Sequence, residues 1–227
     1  MKTRVIFAVL FSAMAGAALA GGPVRLFNGK DFAGWTFDIS KEGVKPEQIW
    51  SVRDGMLVCK GKPAGVIRTE KEYGNYELTF EWRWPKGKTP GNSGCLIHCS
   101  EPRVLGVWPK CLEVQLQSGD AGDFWMLGEK IAVKDGKQKG RRWLNMTDGA
   151  EKPIGEWNTM KIRAEGGKVT VWVNGEKVNE GTGCTAVKGA ICLQSEGAEI
   201  HFRNVELTPL DLPPVQVPPV PEKTPGK

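Results

Sequence analysis

The chain is read as an all-β sandwich. Three observations predict this: short stretches of alternating apolar and polar residues recur along most of its 227 residues, turn signals separate them, and helical periodicity is almost absent. No internal repeat is visible. The length fits one domain once a leader and a tail are set aside.

The leader is residues 1–20. Lys2 and Arg4 precede a mostly apolar run from Val5 to Leu19, and Ala18-Leu19-Ala20 offers small residues for cleavage. This reads as a secretory signal peptide, so the mature protein is expected to be secreted or periplasmic, with no membrane span. Loss of Lys2 and Arg4 takes the formal charge from +5 to +3. That is too mild a charge, and too scattered, to argue for nucleic acid.

From Gly22 to Trp35 runs an opening segment, LFNGKDFAGW, with Asn28-Gly29 as a turn signal. Trp50 to Cys59 reads as two strands about the Asp54-Gly55 turn. Val66 to Thr69 is a strand. In Tyr76 to Trp84, Tyr76, Leu78, Phe80, Trp82 and Trp84 share one face and Glu77, Thr79, Glu81 and Arg83 the other, the pattern of a half-buried antiparallel strand. Pro85 to Asn92 is turn-rich. Cys95 to Cys99 and Cys111 to Gln117 are strands, and Pro102 and Pro109 end pairing between them. Ser118 to Trp125 reads as a loop, and Asp135 to Glu156 as long loops with one short helix or hairpin. Trp157 to Ala164 and Lys168 to Val173 are strands, and Asn174-Gly175 turns the chain into Glu176-Lys177-Val178. Ala190 to Ser195 and Glu199 to Leu207 finish the pattern. The segment 211–227, rich in proline, is expected to be extended and disordered.

The strand CLEVQLQ puts Leu112, Val114 and Leu116 on one face and Cys111, Glu113, Gln115 and Gln117 on the other. A carboxylate flanked by carboxamides suits a polyhydroxy ligand; the plainer reading is a solvated face. Six cysteines allow 15 pairings. Cys95 and Cys99, about 13 Å apart on one extended strand at ~3.3 Å per residue, cannot bridge. Cys99 with Cys111 is the first expected disulfide, because these residues flank a loop, and Cys184 with Cys192 the second. A zinc site is a poor fit: there is no Cys-x-x-Cys pair, and only His98 and His201 supply imidazoles.

In order, LFNGKDFAGW, W-x-V-x-DGMLVC, NYELTFEWRW, NSGCLIH, LEVQLQSGDAGDFW, GEWNTMKIRAEGGKVTVWVNGEKV and GAICLQSEGAEIHFRNVELTPL resemble the 3-keto-disaccharide hydrolase domain family, across Arg25 to Leu210. The resemblance implies a concanavalin A-like lectin/glucanase β-sandwich, a jelly roll of two antiparallel sheets with a sugar-facing concave side. It also implies cleavage of glycosides oxidised to a ketone at C3. One departure stands out. Relatives often read L-Q-D-H-G near the end, and here the stretch is Leu193-Gln194-Ser195-Glu196-Gly197. Glu196 stands where many members have an imidazole.

The same fold hosts retaining glycosidases, which need two carboxylates about 5 Å apart on a strand. Glu113-Val114-Gln115-Leu116-Gln117 lacks the second, which argues against that route. A 3-keto sugar needs less: one base for the acidified C2 proton, donors for the enolate oxygen and an acid for the leaving group. Glu113 is the candidate base, His98 and Glu196 the other candidate catalytic residues. Arg68, Asn92, Lys110, Gln115, Asp123, Trp125 and Gln194 are the candidate substrate-binding residues, with Trp108 a second stacking candidate. No resident cofactor is expected, with a divalent cation at Asp120 and Asp123 as the one alternative. The expected partner is a carbohydrate, and the expected state a monomer or weak oligomer. The competing function is a non-catalytic carbohydrate-binding module. An enzyme should hold Glu113 recessed among polar groups; a binder should present a flat aromatic platform.

Overall fold

The computed structural model describes residues 22–212. The expected signal peptide and nearly all of the expected tail lie outside the described residues. In chain order the strands are β1 (Val24–Arg25), β2 (Trp35–Ile39), β3 (Trp50–Arg53), β4 (Met56–Cys59), β5 (Gly65–Thr69), β6 (Tyr76–Arg83), β7 (Gly94–Cys99) and β8 (Cys111–Gln115). They continue with β9 (Phe124–Leu127), β10 (Gln138–Lys139), β11 (Arg142–Trp143), β12 (Asn158–Glu165), β13 (Lys168–Val173), β14 (Glu176–Gly181), β15 (Ala190–Ser195) and β16 (Ile200–Pro209).

Two eight-stranded sheets form among these residues. The first runs β14-β13-β12-β6-β16-β4-β3, with β1 beside β16; the second runs β10-β11-β9-β8-β7-β15-β5-β2. All pairings are antiparallel. This two-sheet jelly roll is the concanavalin-like fold that the resemblance implies. No helix among the described residues is long and apolar enough to cross a membrane.

Alternation in the sequence places the core between the sheets. Tyr76, Leu78, Phe80 and Trp82 of β6 point inward and are buried, as are Met160, Ile162 and Ala164 of β12. From the second sheet Ile67, Cys95, Ile97, Leu112, Val114 and Leu193 meet them in one cluster. Each such apolar side chain contributes about 1.5–3 kcal/mol on burial. The Asp-Gly and Asn-Gly turns form as read. Asp54 and Gly55 have φ of 50° and 73°, and Asn174 and Gly175 have 51° and 87°. Two consecutive positive φ values are what a tight hairpin turn requires.

The structure departs from the sequence reading in two places and settles one alternative that it left open. The opening segment continues into a strand, β2, which pairs with β5 at the edge of the second sheet. The loop read through Trp125 gives way to β9, whose unbroken run of apolar residues hides the alternation but which pairs along β8. Within the long irregular section, the short element is the hairpin β10–β11.

Neither expected disulfide is present, and all six cysteines are buried free thiols. Cys99 and Cys111 are hydrogen-bonded neighbours. They pack with Cys192, Leu96, Val66 and Leu127 in a second apolar cluster on the outer side of the second sheet. Cys184 lies in the main core, apart from Cys192, with its thiol 3.3 Å from the Ala186 carbonyl oxygen. Apolar packing accommodates these sulfurs without a bond.

Candidate active site

Register brings the site together on the outer face of the second sheet. Glu113 of β8 lies opposite Trp125 on β9 and Leu96 on β7. Gln115 lies opposite Gly94, and Gln194 on β15 is on the far side of that glycine, since Leu193 pairs with Cys95. Glu196 follows Gln194 by two residues and so projects from the same face. Its turn is clamped: Ser195 Oγ donates to the Pro63 carbonyl oxygen at 2.9 Å, and the Gly197 amide donates to the Gly61 carbonyl oxygen at 2.6 Å. Bridges to Glu196 and Gly197 hold Asn92 beside them.

The result is a pocket of about 170 Å³ lined by Asn92, Glu113, Gln115, Trp125 and Glu196 at its centre, with Leu105, Trp108, Gln117, Leu127 and Arg141 around it. Glu113 is only 5% exposed. It is recessed because residue 94 has no side chain. A Cβ at Gly94 would lie 2.5 Å from Gln194 Oε1 and 2.6 Å from Glu113 Oε1. Glycine here marks a close approach of side chains to the backbone, a use of glycine in a strand interior.

Burial pushes the Glu113 carboxyl up to about 8; the Glu196 charge adds to this and a hydrogen bond with Gln194 opposes it. Burial also raises Glu196, to about 7. The two carboxyls therefore share roughly one proton near neutrality, and their titrations belong to the pair. Perturbed acids converging in a cleft mark a candidate reactive site.

Several polar atoms here are buried without a partner: Asn92 Oδ1, Gln194 Oε1 and Trp125 Nε1. Each such atom costs about 1–3 kcal/mol when nothing meets it. Asn92 and Trp125 line the pocket, where a ligand rich in hydroxyls would meet them, and Gln194 sits behind them against Glu113. Gln115 is oriented by its own backbone, its Oε1 accepting from the Leu116 and Gln117 amides at 2.9 and 3.0 Å. Its amide nitrogen is left for the pocket.

A larger hollow of about 540 Å³ lies beyond the β10–β11 hairpin, lined by Lys134, Asp135, Lys137, Asn145, Thr147 and Asp148 among others. Its carboxylates, Asp135 and Asp148, are exposed, and it lacks the recessed acids of the smaller pocket. Chemistry favours the smaller one.

Glu113, Glu196, Asn92, Gln115, Gln194 and Trp125 thus come together. The other candidates do not. His98 is buried away from the pocket, its ring nitrogens 2.6 and 3.0 Å from the Ala186 and Gly74 carbonyl oxygens and its ring edge-on to Tyr76. A φ of +54° at a bulge turns it off the strand's regular alternation. Arg68, on β5, is separated from β8 by two strands, β7 and β15, and lies in a separate hollow with Asp38, Val66 and Pro102. Lys110 pairs with Glu101 at 3.1 Å and Glu129 at 3.9 Å. Asp123 is buried against the Arg142 guanidinium and accepts from the Asn145 amide at 2.5 Å; Asp120 also pairs with Arg142, at 2.8 Å. A guanidinium therefore meets the charge that a sugar or cation was expected to meet.

Sequence reading missed Arg141, Leu105 and the role of Gly94. Arg141 falls in the section without periodicity. Gly94 carried a signal, glycine inside a strand pattern.

Comparison with known proteins agrees with this fold. The family profile of the 3-keto-alpha-glucoside-1,2-lyase-like domain matches residues 22–208. The chain belongs to this family. Membership places it among carbohydrate-active β-sandwich enzymes that act on glycosides. A relative named 3-keto-disaccharide hydrolase, from Bacteroides thetaiotaomicron, is 24% identical over 85% of this chain and 80% of its own length. A crystal structure of a protein described as a glycosyl hydrolase, from Parabacteroides distasonis, superposes with a TM-score of 0.62 and 27% identity, over 84% of this chain and 95% of that one. The carbohydrate-binding module CBM66 from Bacillus subtilis shares the fold alone, at a TM-score of 0.53 and 13% identity, over 76% and 93%.

Proposed function

We propose that this protein cleaves the glycosidic bond of 3-keto-glycosides by elimination through an enolate. The observation that carries this reading is the pair of recessed carboxyls, Glu113 and Glu196, both raised toward neutrality in one pocket. Six of the ten residues that line this pocket are polar or charged, with Trp108 and Trp125 the two aromatic ones.

The C3 ketone acidifies the C2 hydrogen. Glu113, on the pocket floor, takes that proton in the singly protonated form that keeps its proton on Glu196, about tenfold rarer than the form protonated on Glu113; the electron pair of the C2–H bond becomes the enolate C=C. The amide groups of Gln115 and Asn92 donate toward the C3 oxygen as charge develops there, the kind of stabilisation that weighs most in such steps. The enolate oxygen then re-forms the C3 carbonyl, the C2=C3 pair shifts to form C1=C2, and the C1–O bond breaks with its electron pair leaving on the departing oxygen. Glu196, nearer the rim, gives its proton to the departing oxygen. Water adding across C1=C2 completes hydrolysis; release before that step makes the reaction a lyase. An acid and a base with values near the working pH are what general catalysis calls for. Glu196 then does the work of the imidazole found in many relatives.

The test compares 3-keto-glucosides with their parent glucosides in deuterated water. The keto forms are cleaved, the parents are not, and the product sugar carries deuterium at C2. Glu113→Gln removes both cleavage and exchange, by ~10²–10⁴-fold. Equal cleavage of parent glucosides would exclude the enolate route.

A further inference from the structure

The chain's formal net charge is +5, and the thirteen residues 130–142 carry six cations, Lys130, Lys134, Lys137, Lys139, Arg141 and Arg142, against one acid, Asp135. Six minus one is +5, so this one segment accounts for the whole of the net charge. It ends in the β10–β11 hairpin at the edge of the pocket sheet. Lys139 and Arg142 lie directly opposite each other across the turn. Like charges facing each other across strands are destabilising. Asp120 and Asp123, both paired with Arg142, offset that repulsion.

Edge-strand lysines have a common role, discouraging edge-to-edge pairing. That accounts for Lys139 but not for Arg141. Arg141 sits in the turn, not on the strand, and lines the pocket beside Trp125. Its backbone is fixed there, the Met126 amide donating to the Arg141 carbonyl oxygen at 2.9 Å. Its neighbour Arg142 is neutralised by Asp120 and Asp123. The Arg141 side chain forms no ion pair or hydrogen bond with the described residues. The lining also includes Leu105 and Trp108. The pocket therefore combines apolar side chains with an uncompensated guanidinium.

We infer that the substrate's leaving portion carries an anionic oxygen group, a carboxylate or sulfate on an apolar or aromatic aglycone, and that Arg141 binds it. This rests on the glycoside reading above. A guanidinium presents a planar fork of donors matched to such oxyanions. It also places a positive charge beside two carboxyls that would otherwise repel an anionic ligand.

The experiment measures binding and needs no turnover. Calorimetry compares the glucosides of 4-hydroxybenzoate, 4-hydroxybenzenesulfonate and 4-hydroxybenzamide, the last being the neutral match. Both anionic forms are expected to bind ~10-fold more tightly than the amide at low salt, the size of a charge-assisted contact. Arg141→Gln should bring that ratio toward one, and so should raised salt. Lys41→Gln, beyond the opposite edge strand, should leave it unchanged. A larger effect with the carboxylate than with the sulfonate assigns the group as a carboxylate, and the reverse assigns it as a sulfate. Equal affinity for charged and neutral forms, an unchanged ratio in Arg141→Gln, or binding of none of the three overturns the inference. Cleavage of the 3-keto forms is scored separately, so failure of the enolate reading remains distinguishable.

Discussion

The outer faces of the two sheets differ: the first is a polar stripe, and the second sets a few polar groups beside an apolar cluster. On β6, β12 and β16 the outward side chains stay half exposed and satisfy one another. Arg203 makes a two-pronged contact with Glu81 at 2.9 and 3.2 Å, joined by Asn204 at 2.5 Å. Arg163 and Lys161 approach Glu77, and the guanidinium carbons of Arg83 and Arg203 lie 4.6 and 4.1 Å from the Trp157 ring centroid. On β7, β8 and β15 every residue is buried on both faces, and the site keeps polar atoms that nothing among the described residues meets. The difference teaches where to look for chemistry. Completed polar networks hold a surface, whereas buried and incomplete ones wait for a ligand.

Gly94→Ala should break the contrast most sharply. The added methyl meets the far ends of two flexible side chains, so the fold should survive while Glu113 and Gln194 are displaced. Misplacement of about 1 Å typically costs ~10² in rate. The check is kcat on a 3-keto-glucoside beside circular dichroism. Retained kcat would mean the recess is not needed.

The pH profile comes next in size. With Glu113 near 8 and Glu196 near 7, kcat/KM should be bell-shaped with flanks near those values, falling about tenfold per pH unit outside them. The two singly protonated forms of the pair vary together with pH, so the bell fixes the pair and the single carboxamide variants fix the roles. A flat profile between pH 6 and 9 would remove the pair from the mechanism.

The smallest effects come from making the same change on both faces. Folded Glu113 keeps its proton to about pH 8, while an unfolded carboxyl releases it near 4.5. Between those values the folded state binds more protons, so stability falls as pH rises. Glu113→Gln should therefore raise Tm at pH 8, by about 2–4 °C for each kcal/mol relieved, with the gain fading toward pH 4.5. Glu81 is the opposite case. Burial opposes ionisation, but hydrogen bonds from Arg203 and Asn204 outweigh it and hold the carboxyl below its ordinary value. Its contribution is present above the unfolded value and lost as pH falls through the folded one. Glu81→Gln should lower stability by no more than about 1 kcal/mol. Thermal melts across pH decide both signs.

Much of the sandwich was legible because period-two burial is written directly into Tyr76 to Trp84 and into Leu112, Val114 and Leu116. Glu113 and Gln115 were legible for the same reason, and Glu196 because it follows Gln194 in phase. His98 was not, since a bulge with positive φ breaks the alternation on which its placement rested. Arg68 and Lys110 share the sheet or its margin with the pocket, but strand order and ion pairing, which sequence spacing does not encode, keep them apart from it. Arg141 depends on a turn in a stretch whose pairing is set by β9.

The segment between β7 and β8 has one more consequence. Leu105 and Trp108 form a side of the reactive pocket, while Ser100, Pro102, Val107 and Pro109 from the same segment line the hollow that holds Arg68. One loop therefore borders both hollows, so a change in its length would reshape the two at once.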